Sequence, residues 1–503
     1  MKLVRVAFLV LLTHVSILSA WAQPAVIPGD YPDPSVTKVG NTYWASATTS
    51  NWFPAYPLLK SDDLVNWQTV GNIFTKVPDW ADYYFWAPEI TEEKGRIYVY
   101  YTAHKKGGNL CVAVASADRP EGPYRDHGPL VGQPDGSIDG FPMRDENGQL
   151  YLIWKEDGNS VRQPTPIWAQ PMNEERTALT GEKKELFRND TPWENNLVEG
   201  VAMVKHGGYF YAIYAGAGCC GTGCTYATGV ARAKSLLGPW EKYAQNPVLT
   251  DEGSWRCPGH GTAIEKDGKF YFLYHAYDKE SNVYTGRQAV LKEFTFTEDG
   301  WIKFLPETAL LANAKPAPAT ISDSFTGKAL SDQWQWSIFQ PPAFRVKKGA
   351  LTLSAQPNKF GSAVAQRTLA GDYTVTTTIN RKRTTGQAGL AAIGDDDNAL
   401  GVSTDGRDLT VWKVQRGQKT VLSTQPLVAG KSVHLQLLAT GGHLFTFAYS
   451  TDGKNYQSLT SQPLDGAFLP PWDRAVRVGV TANGIPGQQA VFNDFVVQNG
   501  QRH

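Results

Sequence analysis

Short runs in which apolar and polar residues alternate, rich in Tyr, Phe, Trp, Val and Ile and separated by Gly, Asp and Asn, follow one another along nearly the whole chain. A helical period of 3.6 residues is almost absent, so the pattern predicts an all-β protein. Five segments between Asp33 and His260 share a stronger design. In each, an acidic residue or a histidine is followed six to nine positions later by a glycine, which precedes a tyrosine by three at the head of an aromatic strand. The leading residues are Asp33, Glu89, Asp139, Glu199 and His260, and they recur every 50 to 61 residues. Such a period, with several short strands per unit, suits a β-propeller blade; a five-bladed ring would bring the five leading positions around one axis.

The repeats stop near Pro306, and 503 residues are too many for one core. The stretch ETALLANAKPAPATISDSF reads as a linker. Beyond it, GALTLSA, DYTVTTTIN, DLTVWKVQ, SVHLQLLA, HLFTFAYS and AVRVGVT alternate strictly between turn residues. That alternation predicts a β-sandwich. The expected division is 1–22 as a leader, 23–315 as a five-bladed propeller and 316–503 as a C-terminal sandwich.

The leader expectation rests on MKLVRVAFLVLLTHVSILSAWA, with Lys2 and Arg5, an apolar centre and an Ala20-Trp21-Ala22 end. These are the parts of a cleaved secretory signal, which places the mature chain, from Gln23, outside the cell or in the periplasm, with no membrane attachment after cleavage. Lys plus Arg number 48 and Asp plus Glu 48, scattered rather than clustered, so nucleic acid is not an expected partner. Aromatic residues make up 12 % of the chain, including 16 Trp. This fits a protein that stacks ring faces on neutral sugars. Five cysteines leave at least one thiol over, and CCGTGC at 219 to 224 is expected to hold a disulfide rather than a metal, since no histidine lies at ligand spacing.

Several carboxylates gathered at one axis repel one another and are costly to bury, so stability alone does not account for them. Hydrolysis of a glycosidic bond does, because it needs one carboxylic acid to protonate the departing oxygen and one carboxylate to activate water or attack carbon. Asp33, Asp139 and Glu199 can supply both roles and a group that tunes them.

The blocks YPDPSV, WAPE, SIDGFP, VEG and CPGHG, in this order and spacing, resemble the signature blocks of glycoside hydrolase family 43 over roughly Pro28 to Pro306. The stretch YHAYDKESNVYTGRQAVL is similar to the β-xylosidase and α-L-arabinofuranosidase branch, which commonly carries a C-terminal concanavalin A-like, jelly-roll sandwich. The resemblance implies an inverting mechanism with Asp33 as general base, Glu199 as general acid and Asp139 as pKa modulator, with carboxyl groups on the order of 6.5 to 9.5 Å apart. It implies that Arg287 binds substrate hydroxyls and that His260 lies in the central channel beside the substrate. Phe85 and Trp86 are candidates for a sugar-stacking wall. No cofactor is required for the chemistry. A structural Ca²⁺ is expected either in the channel near His260 or in the sandwich, where Asp323 and Asp494 lie at the first and last strands. Two departures, SIDGFP for SIDP and EGV for EGP, leave the carboxylates intact.

The function expected is therefore exo release of terminal α-L-arabinofuranosyl or β-D-xylosyl units from plant hemicellulose or its oligosaccharides. An endo-arabinanase and a non-catalytic sugar-binding propeller are the alternatives. The first needs an open cleft and usually lacks the sandwich, and the second could dispense with Asp33 or Glu199, both of which are present.

Overall fold

The computed structural model describes residues 23–428 and 432–500. The leader expected at 1–22 lies outside the described residues. Five four-stranded antiparallel sheets follow one another along the chain. Their first strands are Ser35–Val39, Ala81–Glu93, Ser137–Arg144, Val198–His206 and Trp255–Lys266. Each sheet is a simple meander, apart from a two-residue strand, Trp52–Phe53, that leaves the first sheet. The first strands of successive sheets abut, and that of the fifth sheet lies against that of the first. The sheets thus fit a propeller followed by a sandwich. The segment after Gln23 joins the fifth sheet, with the Val26 N–H donating to the Ala289 carbonyl at 2.9 Å and the Ala289 N–H to Ile27 at 3.1 Å.

Most of the aromatic residues that signalled the repeats are core. Tyr43, Tyr211 and Tyr271 are buried at the second strands of three sheets, and Tyr56, Phe74, Phe85 and Tyr101 pack together between the first two. The polar leading residues depart from regular strand geometry. Pairing slips by a residue or more between Trp86 and Glu89, Ile138 and Phe141, Glu199 and Ala202, and Gly259 and Gly261. A bulge of this kind bends the strand and re-aims the side chain beside it. Asp33, Asp139 and His260 adopt φ of 50°, 60° and 42°, a region that costs a non-glycine residue roughly 1–3 kcal/mol and persists where surrounding structure enforces it. Gly200 (φ 61°) faces the His260 ring, which a Cβ there would approach to 2.6 Å. Only glycine fits at that position of VEG.

The C-terminal region packs a six-stranded sheet on a larger one around a single core that includes Trp334, Leu351, Val375, Phe447, Val480 and Phe492. As expected for such a sandwich, the first strand, Thr320–Asp323, pairs with the last, Gln489–Asn499. The two regions are docked through buried polar contacts. Asp30 accepts from the Arg477 guanidinium at 2.9 Å and from the Ala475 N–H at 3.1 Å, and its carbonyl accepts from Arg367 Nε at 2.8 Å. Trp52–Phe53 pairs with Trp336–Ser337, and Trp52 lies in an apolar cluster with Phe360 and Trp412. Removing one member of a buried ion pair strands the other charge, at about 3–5 kcal/mol. Asp30→Ala is expected to lower the thermal unfolding temperature and the rate on small glycosides together. Unchanged unfolding and turnover would mean that the seam at Asp30 carries neither stability nor activity.

Candidate active site

A cavity of about 490 Å³ is lined by Asp33, Asp139, Glu199, His260 and Arg287 from the five-sheet region, together with Trp472 and Asp473 from the sandwich. Asp33 stands just before the first strand of the first sheet. Its carboxylate accepts from Arg287 at 3.1 Å and from the Thr48 hydroxyl at 2.7 Å, and His260 Nδ1 is 3.4 Å away. Burial alone would raise its pKa; Arg287, His260 and His275 outweigh burial and hold it far below the usual carboxylate range. Asp33 is therefore a carboxylate at any working pH, as a base must be.

Glu199 and Asp139 divide differently. Glu199 accepts from Lys155 Nζ at 2.6 Å and from the Tyr226 hydroxyl at 2.9 Å. Burial pushes its pKa up, and the Lys155 ammonium more than reverses this, leaving it below the ordinary value. Lys155, itself 1 % exposed, is shared with Asp157 at 2.8 Å. Asp139 accepts from the Gly200 N–H at 2.9 Å, and burial together with the charges of Glu199 and Asp33 raises it from 3.8 to about 6, against the opposing pull of His260 and Lys155. Below about pH 6 the proton of this pair therefore sits on Asp139 rather than on Glu199. Moving it to Glu199 leaves the net charge unchanged, so a titration registers the pair and not either residue.

A group whose folded pKa is raised from 3.8 to about 6 contributes stability that is complete below 3.8 and is lost as pH climbs through 6. The loss is on the order of 3 kcal/mol. Asp139→Asn keeps an acceptor for Gly200 and removes this loss. The variant is expected to be slower but more stable than the parent at pH 7.5, with the gap closing toward pH 4. Removing the negative charge also lowers the pKa of Glu199, so the basic limb of kcat/KM moves to lower pH. Thermal unfolding against pH and a rate profile check both, and a basic limb that stays put or rises would leave Asp139 an orienting residue only.

Trp86 reaches the cavity, and its ring N–H donates to the Asp473 carboxylate at 3.2 Å and the Ser50 hydroxyl at 3.1 Å. Phe85, expected beside it, does not. It is fully buried against Tyr56, because the register slips on either side of Trp86 send neighbouring side chains to unrelated places. The aromatic wall consists instead of Trp86, Tyr84 stacked on it at 4.3 Å and Trp472 edge-on at 5.7 Å. Arg287 donates to the Asp473 carbonyl at 2.9 Å as well as to Asp33. Sequence reasoning missed Lys155, Tyr226, Tyr84, Trp472 and Asp473, none of which sits in a repeat-leading position.

Glu89 lies with Asp33, Asp139 and His260 around a small space beneath the cavity. It accepts from the Thr262 hydroxyl at 2.8 Å, and burial pushes it up to about 8, so it is protonated at neutral pH. A hard cation takes about six to eight oxygen ligands, from carboxylates, carbonyls or water, and among the described residues no three His, Cys, Asp or Glu side chains gather as a metal-binding set. In the sandwich, Asp323 stands opposite Phe495 in the pairing, so strand alternation sends Asp494 to the other face. Each is satisfied locally, Asp323 by the Phe325 N–H and Trp334 Nε1, Asp494 by the Thr378 N–H and hydroxyl. Asp323 and Asp494 therefore do not share the Ca²⁺ expected in the sandwich.

Residues 22–302 match the family model for glycosyl hydrolases family 43. The chain belongs to that family. Residues 322–472 match the model of the β-xylosidase C-terminal concanavalin A-like domain. A xylosidase/arabinosidase of Humicola insolens is 27 % identical over 55 % of this chain and 54 % of its own length. The chain thus spans about half the length of that relative; for a non-reducing end α-L-arabinofuranosidase of Bacteroides ovatus the figures are 26 % identity over 77 % of this chain and 76 % of the relative. A family 43 crystal structure from Bacillus licheniformis superposes with a TM-score of 0.80 at 24 % identity, over 95 % of this chain and 100 % of that one, which establishes the two-part fold. Among the described residues no helix is long and apolar enough to cross a membrane.

Proposed function

We propose that the protein is a secreted or periplasmic, inverting exo-glycosidase that removes terminal α-L-arabinofuranosyl or β-D-xylosyl units from plant hemicellulose or its oligosaccharides. The five sheets are read as the blades of one closed propeller, with the catalytic domain over 23–315 and the sandwich over 316–503. The observation that carries the reading is the single cavity in which Asp33, Asp139 and Glu199 meet beneath Trp472 and Asp473. A second domain standing over the site turns a cleft into a pocket, which suits a chain end rather than a chain interior. The names of the family relatives, xylosidase and arabinofuranosidase, supply the pentosyl class.

In this reading Asp33, kept anionic by Arg287, takes a proton from the attacking water. Glu199 gives one to the departing oxygen, and Asp139 holds that proton below about pH 6 and shares it across the coupled pair. Trp86 and Trp472 receive the apolar ring face. Proton NMR of the first-formed sugar, run in parallel on nitrophenyl α-L-arabinofuranoside and nitrophenyl β-D-xyloside, tests the proposal. Release of the inverted anomer from one or both is expected. A first product that keeps the substrate's anomeric configuration would overturn the inverting mechanism, and no turnover of either would overturn the pentosidase reading.

A further inference from the structure

Cys219 and Cys220, adjacent in sequence, are joined to each other, and both line the cavity that holds the three carboxylates. A cross-link stabilises chiefly by closing a loop in the unfolded chain, and a bridge between neighbours closes none. The segment is also already fastened without it. Cys224 is bonded to Cys257, three residues before His260. Arg256 donates to the carbonyls of Thr222 and Cys224 at 3.2 Å, and the Gly221 N–H donates to the Tyr277 hydroxyl at 3.2 Å. Stapling therefore does not explain the Cys219 to Cys220 bond, whereas its position does.

We infer that the Cys219–Cys220 disulfide is a specificity-determining wall of the leaving-group subsite, an apolar face on which the ring beyond the cleaved bond rests. The inference rests on the glycosidase reading above. A disulfide offers no N–H or O–H donor and only weak, polarizable acceptors, so it suits the C–H face of a sugar. Closed into a ring, it has little rotamer freedom to lose on binding. Its placement is on the side of the acid. Glu199 pairs with Ala215, the loop to Cys219 and Cys220 continues from that same strand, and Leu197 lines the cavity next to them. Asp33, the base, stands instead before the first strand of the first sheet, and the attacking water is on its side. Because the acid protonates the departing oxygen, the wall beside it faces the departing sugar.

The test compares the parent with C219A/C220A, using KM for an unsubstituted pentobiose and the inhibition constant of the free pentose. The first samples both subsites; the second samples the glycosyl pocket. KM for pentobiose is expected to rise roughly tenfold, the effect of losing one modest apolar contact, while the pentose constant stays within about twofold. A parallel rise in both, or no change in either, would overturn the inference. If the parent turns over neither nitrophenyl pentosides nor pentobiose, the glycosidase reading falls and this inference with it. Should the double variant not fold, Glu199→Gln, which binds without turnover, gives a second readout. Reduction by a phosphine followed by alkylation and mass mapping of Cys219 and Cys220 is expected to slow with pentobiose and not with pentose. Equal rates under all conditions, or native protein in which both are free thiols, would count against it.

Discussion

Glu199→Gln is expected to lower kcat on pentobiose by roughly 10²- to 10⁴-fold, the range supplied by a positioned general acid, and to lower it far less on pentosides whose leaving group departs without a proton. The structure makes this variant informative. Gln is nearly isosteric, its carbonyl oxygen can still accept from Lys155 or Tyr226, and Lys155 keeps Asp157 as counter-charge, so the site is not left with a stranded ammonium. Binding should survive, as KM or an inhibition constant will record. An equal loss on good and poor leaving groups would show that Glu199 is not the acid.

The second large effect is at Asp33. Asp33→Ala should abolish turnover, and added azide should give no product of retained configuration, because an inverting base activates water and forms no bond to the sugar. Alanine also strands Arg287, which is buried with Asp33, so the variant is expected to lose up to about 3–5 kcal/mol of stability as well. Asp33→Asn keeps the volume and an acceptor for Thr48 and Arg287, but being neutral it too leaves the Arg287 charge uncompensated, so it should be as inactive and less stable than the parent, by less than Asp33→Ala. A measurable rate for Asp33→Asn close to that of the parent would remove Asp33 from the chemistry.

Much of this site could be read from the spacing of five polar residues, because each lies in or just before the first strand of a sheet and those strands lie side by side. The catalytic candidates were legible for that reason. What the sequence hid has physical causes. Alternation distinguishes inward from outward positions only while pairing is regular, and the register slips on both sides of Trp86 made Phe85 and Trp86 look interchangeable when one is core and the other wall. Lys155 occupies an ordinary strand position opposite Ile138, and nothing local marks it as the partner of a residue 44 positions on. Trp472 and Asp473 reach the cavity only because the sandwich docks through Asp30 and Arg477, a contact between residues 447 apart that no local pattern encodes. Asp323 and Asp494 failed for a simpler reason, since strands that pair can still present neighbouring side chains to opposite faces.

The link between Arg287 and position 473 runs through a backbone carbonyl, and the ring of Trp472 carries no charge. The groups that hold and move protons are thus encoded in the five-sheet region, up to Arg287, while part of the shape of the entrance is encoded near the C-terminus. A library varied at 472 alone can change which glycans are admitted without disturbing the ionisation balance of the carboxylates. One part of the entrance is, in this chain, open to variation apart from the carboxylates.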